Sequence, residues 1–260
     1  MSLFQRYIGI DYSGASEPCM PIPGLRVFVA DRSTGPREER DHPQDRERTR
    51  NWSRNRLAAW IRDRLMEDVP TIVGLDHAFS YPLEAIDEEA RTSWDEFLAW
   101  FEERWPTRTH AVREKCAGHQ KILEKHRKTL RLTDRWAPTA MPICAGWEGN
   151  GPNVFYSSHA GIPWLRWLRH ETGGRVHFWP FDDFSVPAGK SVVAEVYPRV
   201  FRRRYEAETT LVGDQRDAWL VCRWLKDRDE RECLAPFLQP PLDEAERQKA
   251  RIEGWILGVS

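Results

Sequence analysis

The chain lacks the short signatures of several common enzyme classes. Its 260 residues hold no G-x-S-x-G, no Walker loop and no G-x-G-x-x-G, which argues against a nucleophile-elbow hydrolase, a P-loop phosphate binder and a dinucleotide fold. It also lacks an excess of positive charge, with 39 Lys and Arg against 40 Asp and Glu. That excludes a polycationic nucleic-acid binder and leaves room for a nuclease with a local basic groove. No run of about 18 apolar residues is present to span a bilayer. The opening MSLFQRYIGID has no long apolar stretch before its first acid. No membrane partner and a cytoplasmic location are therefore expected. The five cysteines, Cys19, Cys116, Cys144, Cys222 and Cys233, are odd in number and scattered, as in a reduced chain rather than a disulfide framework. Cys116 and His119 form a lone C-x-x-H, without the second pair that a zinc site needs.

What is present begins with a core: 40% of residues are hydrophobic and thirteen are tryptophan, enough for one large domain. Two segments share a pattern. Residues 7–15 read YIGIDYSGA and residues 72–82 read IVGLDHAFSYP, each an apolar run with a glycine that ends on an aspartate. Both read as buried strands, and 25–30 (LRVFVA) as a hairpin partner of the first. Residues 31–50 carry six arginines and six acids and read as a solvated loop. Trp52, Leu57, Trp60, Ile61 and Leu65 fall at helical spacing, so a helix joins the first strand pair to the second strand-Asp segment, and the two segments should pair in parallel.

Residues 84–150 read as a helical insertion within a single domain over 1–260. Ser93 and Glu96 form a capping pattern ahead of a stripe of Trp94, Phe97, Leu98, Phe101 and Trp105, which reads as core. Residues 113–135 hold eight Lys or Arg against three acids. They form either a solvated helical face or an arm that contacts phosphates, with Lys121, Lys125 and Lys128 as the contacts. Residues 136–163 read as loop, with a short helix from Pro163 to near Gly173. Strands follow at 176–181 and 192–197, and a helix opens at Asp214. The closing segment 253–257 should pack back on the domain.

The acids make one constellation. Ligands bind at the carboxyl ends of parallel strands, where Asp11 and Asp76 stand. Glu195 sits inside the apolar run VVAEVYP, where a carboxylate is costly unless paired or bound to metal. Asp214 and Asp217 share a helix face. Oxygen ligands favour Mg²⁺ or Mn²⁺ over zinc, and such ions suit phosphodiester cleavage. The plainer readings are strand-ending turns for Asp11 and Asp76, an N-cap for Asp214 and a dipole partner for Asp217. Ser13 would touch phosphate or shape its turn. His77 would shuttle a proton or serve as a structural histidine.

The strings YIGIDYSGA, VGLDHAFSYP, SSHAGIPWLRWLR, VHFWPFD, VVAEVYPRVF, DQRDAWLVCRWL and EGWILGV, in that order, resemble the domain of unknown function 429 family, predicted nucleases with a ribonuclease H-like fold. The resemblance runs from about Tyr7 to Val259 and is most specific in the second half. It implies an α/β fold with a mixed five-stranded sheet and helices on both faces. It places the family's acids on Asp11, Asp76, Glu195 and Asp217, with Asp214 just before the last. The chain departs at Arg216, where the family tends to have histidine, and at Trp219, where it tends to have tyrosine.

The leading expectation is a Mg²⁺- or Mn²⁺-dependent nuclease acting on DNA or RNA. Asp11 would stand between two ions, Asp76 and Glu195 would hold one and Asp217 the other. The basic stretch and Arg202 would hold the nucleic-acid backbone. The alternatives are a non-catalytic ribonuclease H-like module that binds nucleic acid or protein, and a hydrolase or transferase of a small phosphorylated metabolite.

Overall fold

The structure is a computed structural model and describes residues 2–41, 51–116, 124–137, 139–146 and 154–260. Six strands form one mixed sheet: β1 (Arg6–Asp11), β2 (Arg26–Asp31), β3 (Arg37–Glu39), β4 (Thr71–Asp76), β5 (Val176–Trp179) and β6 (Ser191–Glu195). Their order is β3-β2-β1-β4-β6-β5. β1 pairs antiparallel with β2, and β2 with β3, while β4, β6 and β5 continue from β1 in parallel.

The sheet therefore has one strand more than the five expected. The extra strand, β3, lies in the charged stretch that reads as loop. Its sequence is Arg-Glu-Glu, with no apolar side chain to mark a strand. What holds it is polar: Glu38 meets Arg26 of β2 at 3.0 Å, and the Trp52 indole N–H donates to the Glu39 carbonyl at 3.0 Å. A short, charged strand at the border of a sheet also deters pairing with other chains.

Two hydrophobic layers cover the sheet. The first contains Ile8, Ile10, Val73, Leu75 and Val193 from the strands. Against them lie helices 54–66, 94–104 and 155–172, and the stripe Trp94, Phe97, Leu98 and Phe101 is fully in this core. The second layer contains Tyr7, Ile72, Val192 and Ala194, covered by helix 213–230 through Ala218, Val221, Cys222 and Leu225. The tail packs back as expected, with the Leu257 N–H donating to the Glu195 carbonyl at 2.9 Å. Among the described residues, no helix is long and apolar enough to cross a membrane.

Two local expectations need correction. The helix expected from Pro163 begins at Phe155, eight residues earlier. Its first turns, FYSSHAGI, hold serines and a glycine that imitate a loop. Pro163 has no N–H to offer the His159 carbonyl, and the Thr107 hydroxyl donates to that carbonyl instead. The second correction concerns helix 213–230, whose N-cap is Val212, so Asp214 lies in the first turn and is not the cap.

The glycines of the two strand-Asp segments explain how this helix seats. A Cβ on Gly9 would run into the backbone nitrogen of Cys222 and the carbonyl of Ala218, and one on Gly74 would lie 2.7 Å from a Val221 methyl. The helix thus rests on the backbone of β1. Gly9→Ala should cost about 1–3 kcal/mol or more, because backbone must move. Gly74→Ala should cost less, because a side chain can turn. Urea unfolding of both variants checks the order, and equal losses would mean that the helix floats above the sheet.

Candidate functional site

A parallel register sets the centre of the site. Asp11 and Asp76 are cross-strand partners in the β1–β4 pair, so strands about 4.8 Å apart end on two carboxylates side by side. Side chains alternate along a strand. Asp11 therefore shares the face of Gly9, and Asp76 that of Gly74, beside helix 213–230. Both are half-buried. Neither takes a hydrogen bond or ion pair from any described residue. Burial and the neighbouring charges of Asp76, Asp214 and Asp217 push the Asp11 carboxyl up to about 9. Burial, with Asp217 and Glu195 nearby, raises Asp76 well above the usual carboxylate range, and Arg199 and Arg202 counter it in part.

These two acids lie in a cleft of about 320 Å³ at the carboxyl ends of the strands, which Glu195, Asp214 and Asp217 also line. Their environments differ. Glu195 is in phase with Val193, so it points to the opposite face of the sheet from Asp11 and Asp76. There Arg131 binds both of its oxygens, at 2.6 and 2.8 Å, and the Phe79 N–H adds a bond at 3.0 Å. Burial still raises the Glu195 carboxyl, with Arg131 opposing. Asp217 is held by Arg202, whose Nη2 lies 2.8 and 2.9 Å from its oxygens. Arg216 stands 3.8 Å from the same carboxylate, and Trp219 is buried in the second layer. Asp214 is exposed at the rim and, like Asp11 and Asp76, takes no donor from the described residues. Among the described residues, no three Asp, Glu, His or Cys side chains close on one point as a complete metal-binding group.

Comparison with known protein families, curated proteins and solved structures finds no match.

Of the remaining expected residues, His77 also lines the cleft and the others fall in different places. His77 is 1% exposed, wedged between Tyr12 and Phe79 and pressed on Gly161, where a Cβ would sit 2.5 Å from Nε2. Its Nδ1 donates to the Ala78 carbonyl at 3.0 Å. Burial lowers its pKa to about 4, so the ring is neutral at physiological pH, the surroundings of a structural histidine. The Ser13 hydroxyl accepts from the Ala15 N–H at 3.3 Å and shapes its turn, close to Asp214 across Gly24. Lys121 and His119 lie outside the described residues. Lys125 is exposed in a separate groove with Glu84, Asp87 and Glu88, and Lys128 is exposed and does not line the cleft.

Sequence reasoning placed Arg131 in the basic stretch and missed its task. It is 2% exposed, and besides Glu195 it binds Asp134 through Nη2 at 3.0 Å and the Glu253 carbonyl at 3.3 Å. The signal that points to it is Glu195 itself, since a carboxylate inside an apolar strand needs a buried cation. Arg199, which also lines the cleft, was missed with no comparable signal. Arg131→Met strands two buried carboxylates and should destabilise the fold by about 3–5 kcal/mol. Adding Glu195→Gln should recover part of the loss, because one stranded charge is then gone. Denaturant melts of the single and double variants read this coupling, and no recovery would mean that the pair is not coupled.

Proposed function

We propose that the protein is a Mg²⁺- or Mn²⁺-dependent hydrolase of phosphodiester bonds on a ribonuclease H-like scaffold. The observation that carries this reading is the Asp11–Asp76 pair. Two half-buried carboxylates stand in register with no donor from the described residues, while Glu195 and Asp217 beside them each have an arginine. An unpaired pair of buried acids is costly, and a divalent cation removes the cost. The donors are oxygens, and Mg²⁺ commonly uses one or two carboxylates and fills its other positions with water and phosphate. Asp11 and Asp76 would hold the ion, with Asp214 within the same rim. A bound ion there supplies Lewis-acid polarisation of a phosphoryl oxygen.

The chain's own residues complete the arrangement. Arg202 fixes Asp217 at the helix end, and Arg131 fixes Glu195 across the sheet, so neither acid need serve as a ligand. The mixed sheet, the helices on both faces and the acids at adjacent strand ends suit the ribonuclease H-like frame, although the sixth strand departs from the five implied by the resemblance. The unpaired Cys19, Cys144, Cys222 and Cys233 suit a reducing, cytoplasmic setting.

The test is stability against pH and metal. An unfolded aspartate titrates near 3.9 and folded Asp11 near 9, so between those values the folded chain binds more protons. Without metal, stability should therefore fall as pH rises through that window, and Asp11→Asn should flatten the fall and melt higher than the wild type at pH 8. Mn²⁺ at about 100-fold excess over Kd should stabilise the wild type by about 2.7 kcal/mol and leave Asp11→Asn unmoved. A wild-type melting temperature indifferent to millimolar Mg²⁺ and Mn²⁺ would sink the cation reading.

A further inference from the structure

We infer that Arg199 grips the phosphate of a small phosphate ester of about mononucleotide size, and that the cleft is not built for a polynucleotide. The inference rests on the cation reading above. The cleft measures about 320 Å³, at the lower end of the roughly 300–1,000 Å³ that small-molecule sites occupy. One wall includes Arg131, Asp134, Thr139, Ala140 and Met141, and its first turn is fastened in place. Arg131 binds Glu195, the Leu132 N–H donates to the Glu253 carboxylate at 2.7 Å, and the Ile256 N–H donates to the Thr133 hydroxyl at 2.9 Å.

A polynucleotide site needs cations that track several phosphates. The described lysines of the basic stretch do not line this cleft, and Arg131 is consumed inside it. Among the described residues, six carboxylates line the cleft and two guanidinium groups, those of Arg131 and Arg199. Arg202 and Arg216 are engaged at Asp217. Arg199 stands on the turn Pro198–Val200 that follows β6, is exposed, and makes no hydrogen bond or ion pair with any described residue. Its planar fork suits the oxygens of one phosphate. Because carboxylates dominate the lining, an anion enters favourably only when a cation offsets them. Phosphate and divalent cation should therefore bind with positive coupling.

The experiment is calorimetric titration of thymidine 5′-monophosphate into the whole protein, with and without Mg²⁺, for the wild type, Arg199→Ala and Arg199→Lys. A duplex oligonucleotide serves as the second probe. The wild type should bind the nucleotide much more tightly with Mg²⁺ than without. Arg199→Ala should weaken that binding by about tenfold or more, and Arg199→Lys should recover part of it. Both variants should fold and melt without metal close to the wild type, since Arg199 is exposed and makes no hydrogen bond or ion pair with any described residue. Equal affinity in the wild type and Arg199→Ala, no nucleotide binding by the wild type, or tighter binding of the duplex than of the nucleotide overturns the inference. The Mg²⁺ rise in wild-type melting is read separately, and its absence counts against the cation reading.

Discussion

The close approach of helix 213–230 to the backbone of β1 is the constraint on which the rest depends. At Gly9 there is no room for a single methyl group, because the carbonyl of Ala218 and the nitrogen of Cys222 occupy it. Side chains two residues apart on a strand share a face, so a glycine that admits the helix commits the aspartate two residues on to that same face. The parallel register repeats the device in β4 and sets Asp76 beside Asp11. The first turn of the helix lies at the same end, and Asp214 and Asp217 come with it. One steric condition, written twice as Gly-x-Asp, thus assembles four acids.

Repulsion is then managed by assignment rather than by distance. Glu195, buried, receives both arms of Arg131 and a backbone N–H. Asp217 receives Arg202. Asp11 and Asp76 receive nothing from the described residues and are held towards their protonated forms. A fold indifferent to this spot would have placed an arginine there too, as it did nearby. Leaving the pair unpartnered costs stability, and stability is commonly given up where a ligand later repays it.

Much of this was legible in the sequence, for reasons tied to particular residues. The strand-Asp segments could be read because their glycines, apolar runs and terminal acids have one consistent meaning for a parallel sheet. Helices 54–66 and 94–104 could be read from apolar periodicity, and the Ser93 cap from its spacing to Glu96, whose N–H donates to the Ser93 hydroxyl. β3 was not legible, because its pairing rests on charged side chains and on Trp52 from elsewhere in the chain. The first turns of helix 155–172 were hidden by serines and glycine, residues that favour loops until a tertiary contact such as Gly161 on His77 decides otherwise. The sequence placed Glu195 in the site. It could not say which face of the sheet Glu195 would take, because a carboxylate in a fully buried strand breaks no alternation pattern.

The position of Glu195 also bears on the role of the basic stretch. Charge counting along residues 113–135 suggests a surface that meets phosphates, yet its arginine at 131 is drawn into the interior by an acid some 60 residues away in sequence. That bond ties the basic stretch to β6, and the bonds of Leu132 and Ile256 tie it to the closing segment. If Glu195 left Arg131 to ligate a cation, Arg131 would keep only Asp134 and a carbonyl. The wall of the cleft would then lose its main anchor to the sheet. The same carboxylate cannot both hold that wall and serve a metal without giving up one of the two. The geometry gives it to the wall, so one side of the cleft is anchored by a buried ion pair on the opposite face of the sheet from Asp11 and Asp76.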